Sequence, residues 1–143
     1  MEEQIRLSLL LKTVNNLFER ELNNKVSLMD LTNAQCGILG YLDKNRNKEI
    51  YLNDIEKKFC LKRPTVSGLI KRLEEKEFVI VEHKDNDRRY KQVRLTEKSE
   101  EILAIMKENL ENTEKTLYEN ITEKDKEELY RILSIMFNTM KKE

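Results

Sequence analysis

Tryptophan is absent from the 143 residues, and the chain contains one proline, three glycines, two cysteines and one histidine. So few helix breakers predict a mainly helical chain. The two cysteines, Cys36 and Cys60, form no metal-ligand pair, and His83 has no spaced Cys, His or carboxylate partner of the kind zinc takes. Nothing points to an oxidising compartment, so free thiols, no metal and a cytoplasmic location are expected. The apolar run near the start, Leu9 to Leu11, is far too short for a signal peptide or a membrane span. Catalytic constellations are missing as well: there is no nucleophile–His–acid set, no Gly-rich phosphate loop and no metal cluster. No enzyme activity and no cofactor are therefore expected, and Glu100-Glu101 and Glu127-Glu128 read as solvated helix faces.

Net charge is also lacking, with 27 basic and 27 acidic residues, but the charges are unevenly placed. From Lys57 to Arg94 there are 12 Lys/Arg against 6 Asp/Glu, which leaves 15 against 21 elsewhere. A basic middle between acidic arms predicts one surface that faces a polyanion.

What the chain does have is periodicity. Leu7, Leu10, Leu11, Val14, Leu17, Phe18 and Leu22 predict a first helix over 4–23, ended by Asn23-Asn24. Thr32 and Gln35 form a capping-box signature for a second helix, with Leu31 placed to staple onto Cys36 and Ile38, Leu39 and Leu42 on its inner face. Glu49-Ile50-Tyr51 reads as a short strand, and a third helix is expected over about 53–59 with Ile55 and Phe59 inward. After Cys60-Leu61-Lys62-Arg63, Pro64 suits the first position of a fourth helix running to about Lys76. Val66, Leu69, Ile70 and Leu73 form its apolar stripe, opposite Arg63, Thr65, Gly68, Lys71 and Arg72. The period then drops to about 2. Strands are expected at 78–83 and 92–95, joined by a turn loaded with Arg and Lys. Thr96 is expected to cap a long helix over about 97–119, and Thr122 a last one ending near Met140.

Two short helices joined by a tight turn and followed by a hairpin form the layout of a winged helix-turn-helix. A helix fits the major groove of DNA, where base edges are distinguishable. Arg88 and Arg89 at the hairpin tip suit a narrow, strongly negative minor groove. Both features lie in order within about forty residues, which chance seldom arranges.

Residues 31–99 resemble the MarR (multiple antibiotic resistance regulator) family of transcription factors. The matching segments are Leu31-Thr32-Asn33-Ala34-Gln35, Asp54-Ile55, Pro64-Thr65-Val66-Ser67 through Arg72-Leu73-Glu74, and Asp87-Arg88-Arg89 through Arg94-Leu95-Thr96-Glu97-Lys98. The last segment is the most specific. The resemblance implies a mainly α protein (α+β by strict count): a winged helix-turn-helix over 31–96, with an N-terminal dimerisation helix in 1–30 and C-terminal dimerisation helices in 97–143. It implies a homodimer on a palindromic operator in double-stranded DNA, its recognition helices about one helical turn apart. The DNA-binding candidates are Lys62, Arg63, Pro64, Thr65, Ser67, Gly68, Lys71, Arg72, Arg88, Arg89 and Lys91, with Asp87 orienting Arg89. A repressor released by a small aromatic or anionic effector is implied too, and Leu17, Arg20, Cys36 and Leu39 are the residues that could line its pocket. Ordinary core packing is the competing reading of those four positions. Three positions depart from the pattern: Cys60 stands where Gly is frequent, Glu56 where a small residue is usual, and Gly68 where a long polar one is common. The rival function from another class is a helical dimeric adaptor that uses the winged module to bind protein.

Overall fold

The computed structural model of the chain describes residues 6–26, 30–83 and 90–141. Among these residues the order is α1 (Leu7–Val26), α2 (Asn33–Lys44), α3 (Leu52–Phe59), α4 (Arg63–Glu75), β1 (Val79–His83), β2 (Lys91–Leu95), α5 (Ser99–Leu117) and α6 (Glu123–Met140). This is the expected winged helix-turn-helix between helical arms. None of the helices among the described residues is long and apolar enough to cross a membrane.

The capping box at α2 forms as the sequence predicts: Gln35 N–H donates to Thr32 Oγ1 (3.2 Å), and Thr32 N–H donates to Gln35 Oε1 (2.9 Å). Leu31 and Cys36 pack into the same apolar cluster. Its centre is Ile38, Leu39, Ile55, Leu73, Val66, Val79 and Val93, all almost wholly buried. Three helices and the hairpin therefore share one core, and that core fixes how α4 and the ribbon sit relative to each other. Gly37 has a steric role here. A Cβ at that position would lie 3.3 Å from Phe59 Cε1, and Phe59 packs edge-on against Tyr41 at 5.9 Å between ring centroids.

The turn between α3 and α4 ends in a Schellman arrangement: Leu61 N–H donates to Glu56 O (3.0 Å) and Cys60 N–H to Lys57 O (3.4 Å). Cys60 takes the left-handed conformation this closure requires, φ 53° and ψ 43°. The turn thus keeps its geometry without glycine, at some cost from the Cβ. Replacing Cys60 by Gly is expected to stabilise the fold by about 0.5–1 kcal/mol in urea denaturation. An unchanged midpoint would mean that the cysteine is unstrained.

Several boundaries differ from expectation. Helix α1 passes through Asn23-Asn24 to Val26, because two asparagines weaken a helix only slightly in the absence of Gly or Pro. Its last turns are also tied to α5, where the buried Asn109 donates Nδ2–H to Leu22 O at 2.9 Å. Residues 4 and 5 of the expected helix lie outside the described residues. The 49–51 strand reduces to a single bridge, Tyr51 with Gln92. Thr96 does not cap α5, whose N-cap is Lys98. Its hydroxyl donates instead to Glu77 O (2.6 Å) and its amide to Phe78 O (3.1 Å), which stitches the end of β2 to the start of β1. The final cap is as expected, with Thr122 and Asp125 forming a capping box.

Candidate nucleic-acid interface

The apolar stripe of α4 seats it in the core: Val66, Ile70 and Leu73 are at most 3% exposed. The other face is therefore turned to solvent, where Lys62, Arg63, Pro64, Thr65, Ser67, Gly68, Lys71 and Arg72 are all exposed. Pro64 lies in the first turn, as its missing N–H allows. The N-cap residue Lys62 offers no side-chain acceptor to the first amides. These unpaired N–H groups, with Lys62 and Arg63 beside them, give the helix an anion-attracting end.

Gly68 has no steric need within the protein, since a Cβ built there meets nothing within 4 Å. A glycine in a helix interior nevertheless costs about 1 kcal/mol relative to alanine. The open space there leaves the exposed face of α4 low at this position, a shape that suits close approach to another surface. Gly68→Ala is expected to raise stability by about 0.5–1 kcal/mol while weakening binding to a cognate duplex. Gain in both stability and affinity would dismiss the clearance role.

The hairpin pairs antiparallel with Val79 opposite Leu95, Val81 opposite Val93 and His83 opposite Lys91. His83 is exposed and Lys91 partly buried at the end of the ribbon next to the segment that connects its strands. Arg94 of β2 pairs with Glu82 of β1. Tyr90 packs edge-on against Tyr51, with ring centroids 6.2 Å apart, so the ribbon is braced on the residue that precedes α3. The expected tip residues Arg88 and Arg89, with Asp87, lie outside the described residues.

Some contacts of the site were not legible beforehand. Arg63 Nε lies 3.2 Å from Glu56 Oε1 across the α3–α4 turn. Arg46 sits 2.7 Å from both Asp43 and Glu100, joining the end of α2 to the first turn of α5. Glu56 was conspicuous only as a departure from pattern, and its pairing depends on a turn that sequence spacing does not describe. Nothing in the pattern around Arg46 pointed to Glu100.

The candidate effector residues border neither of the two cavities beside the hairpin and along α6. Leu39 is wholly buried in the core, Cys36 is half-buried, and Leu17 and Arg20 are exposed on α1. A cavity of about 360 Å³ lies instead beside the hairpin, bordered by Leu42, Asn45, Arg46 and Gln92, and another of about 470 Å³ by Tyr118, Leu129 and Leu133. Burial pushes the Cys36 thiol up to about 11, so it stays protonated at neutral pH and is a poor nucleophile. Cys60 is the exposed thiol.

Residues 31–91, which carry the buried stripe and exposed face of α4 together with β1, match the family model described as MarR family. That segment is similar to the MarR family. Outside the matched segment lie α1, most of β2, α5 and α6. The HTH-type transcriptional regulator BilQ of Clostridioides difficile (strain CD3) is 29% identical over 106 residues, 74% of this chain and 70% of that protein. The structure of S. aureus MepR in complex with DNA has a TM-score of 0.88 at 25% identity, covering 96% of this chain and 100% of that one. A MarR protein of Peptoclostridium difficile reaches a TM-score of 0.85 over 97% of this chain and 91% of its own, and at 18% identity that likeness concerns the fold.

Proposed function

We propose that this protein is a sequence-specific DNA-binding transcriptional regulator. Acting as a homodimer, it lays α4 in the major groove and the β1–β2 ribbon at the adjacent minor groove. The observation that carries this function is the two-sidedness of α4. One face is locked into the core, and the other is a continuous exposed strip of cationic and small polar residues ending in uncapped amides. The likeness to MepR, solved as a DNA complex, supports the same use of the fold. Two copies related by a two-fold axis read a palindrome. Lys62, Arg63, Lys71 and Arg72 meet phosphates or base edges, Thr65, Ser67 and Gly68 lie against the groove floor, and Arg88, Arg89 and Lys91 serve the ribbon. The protein is a repressor, released when a small aromatic or anionic molecule binds between the dimerisation helices and the DNA-binding lobe near Leu17, Arg20, Cys36 and Leu39. That part follows from the family resemblance.

The test is selection of bound fragments from a random duplex pool, followed by salt titration of the recovered sequence. A palindrome is expected, with affinity falling on a log–log plot by about 0.9 per phosphate contacted. A folded dimer that recovers no sequence and ignores duplexes in low salt would refute DNA binding and favour the adaptor.

A further inference from the structure

The Glu56–Arg63 pair joins the two helices of the helix-turn-helix, and stability alone is a weak reason for it. Ion pairs with an exposed partner contribute little to folding. On a surface that meets phosphates, a carboxylate also repels the ligand. Glu56 is nevertheless mostly shielded from solvent, and its backbone belongs to the turn. Its side chain is only 19% exposed against 47% for Arg63, and its carbonyl accepts Leu61 N–H across the same turn. Arg63 is the first residue of α4, with a long side chain that samples many rotamers when unrestrained. Freezing such a side chain on binding weakens affinity, and a partner that orients it beforehand removes that loss. The contact engages Nε, while a guanidinium carries several further N–H donors.

We propose that Glu56 is a positioning residue for DNA recognition: its carboxylate, lodged at the α3–α4 turn 3.2 Å from Arg63 Nε, holds the Arg63 guanidinium ready for DNA at the N-terminal end of α4. This role presupposes that the chain binds DNA. It makes a prediction opposite in sign to simple electrostatics. Deleting a negative charge beside the interface should tighten binding to any duplex if Coulomb repulsion is all that is lost. If orientation is lost, binding to the cognate duplex weakens while binding to random duplex does not.

The experiment uses the full-length protein, with Glu56→Ala and Glu56→Gln measured against two probes at one salt concentration: the duplex recovered by selection and a random-sequence duplex. Glu56→Ala is expected to bind the recovered duplex about tenfold more weakly and the random duplex at least as tightly as the parent, so that the specificity ratio falls. Glu56→Gln, which keeps an oxygen facing Nε without the charge, is expected to restore part of the loss. In an Arg63→Ala background, Glu56→Ala is expected to add nothing. Thermal unfolding checks that each variant is folded, and Glu56→Gln alone decides if Glu56→Ala is not. Equal or tighter binding of the recovered duplex by the folded variant overturns the proposal, as does an undiminished loss in the Arg63→Ala background. A parent protein that binds no duplex at any ionic strength defeats DNA binding itself, a separate failure.

Discussion

Truncation ahead of Thr122 is expected to convert the proposed dimer into monomers and aggregates. No residue of α6 is buried within the single chain, although Leu129, Ile132, Leu133, Met136 and Phe137 recur along it at helical spacing. Tyr130 and Met140 are more than three-quarters exposed. Leu7, Leu9, Leu10, Leu11, Val14 and Leu17 of α1 are similarly uncovered, as are Ile105, Leu110 and Leu117 of α5. Apolar surface on this scale marks an interface, and three helices that present it together fit a second copy of the chain. Fully burying one large apolar side chain contributes about 1.5–3 kcal/mol. Completing the half-finished burial of the α6 set therefore amounts to on the order of 5 kcal/mol, more than three decades in the dimer dissociation constant. Light scattering and sedimentation at micromolar concentration read the outcome directly. Phe137→Glu in the full chain gives a milder form of the same result while leaving α6 intact. A well-behaved dimer from the truncated protein would remove α6 from the interface.

Leu73→Ala should be among the most damaging single substitutions in the DNA-binding lobe. Leu73 is wholly buried and is the last apolar contact of α4 before its Schellman closure, in which Phe78 N–H donates to Leu73 O at 3.0 Å and Glu77 turns left-handed at φ 65°. It thus anchors the exposed helix and adjoins the turn that launches the ribbon. Truncating a buried leucine costs about 2–5 kcal/mol, depending on how far the cavity collapses. That is a large share of the roughly 5–15 kcal/mol by which domains are stable. Chemical denaturation is expected to show this loss for Leu73→Ala and a smaller one for Leu69→Ala, because Leu69 is only partly buried. Equal losses at the two positions would mean that burial is not what ranks them.

Much of this architecture could be read from residue order because the signals were local. The Thr32–Gln35 box, Pro64 in the first turn of α4, the Val66–Leu73 stripe and the change of period after Lys76 each depend on residues within one or two turns of one another. The discrepancies came where distant contacts decided the outcome. Thr96 carries the right side chain for a cap, but its hydroxyl is taken by Glu77, nineteen positions earlier. Asn23 and Asn24 look like a stop, yet α1 runs on beside α5. At the site, the residue types on α4 were legible from the helical wheel. The partner of Arg63 was not, because Glu56 and Arg63 belong to different helices and meet only through the left-handed turn at Cys60. The link from Arg46 to Glu100 spans more than fifty positions, and no local pattern encodes it.

The stitch that Thr96 makes to Glu77 and Phe78 bears on how the lobe meets a duplex. Between the last residue of α4 and the first of β1 there are three residues, and all three are hydrogen-bonded to helix or ribbon. Helix and ribbon are therefore set like the fixed points of a caliper. On the proposed function, a duplex whose neighbouring grooves do not match that gap would have to bend or twist to fit, and part of the sequence preference would reside in the stiffness of bases that no side chain touches.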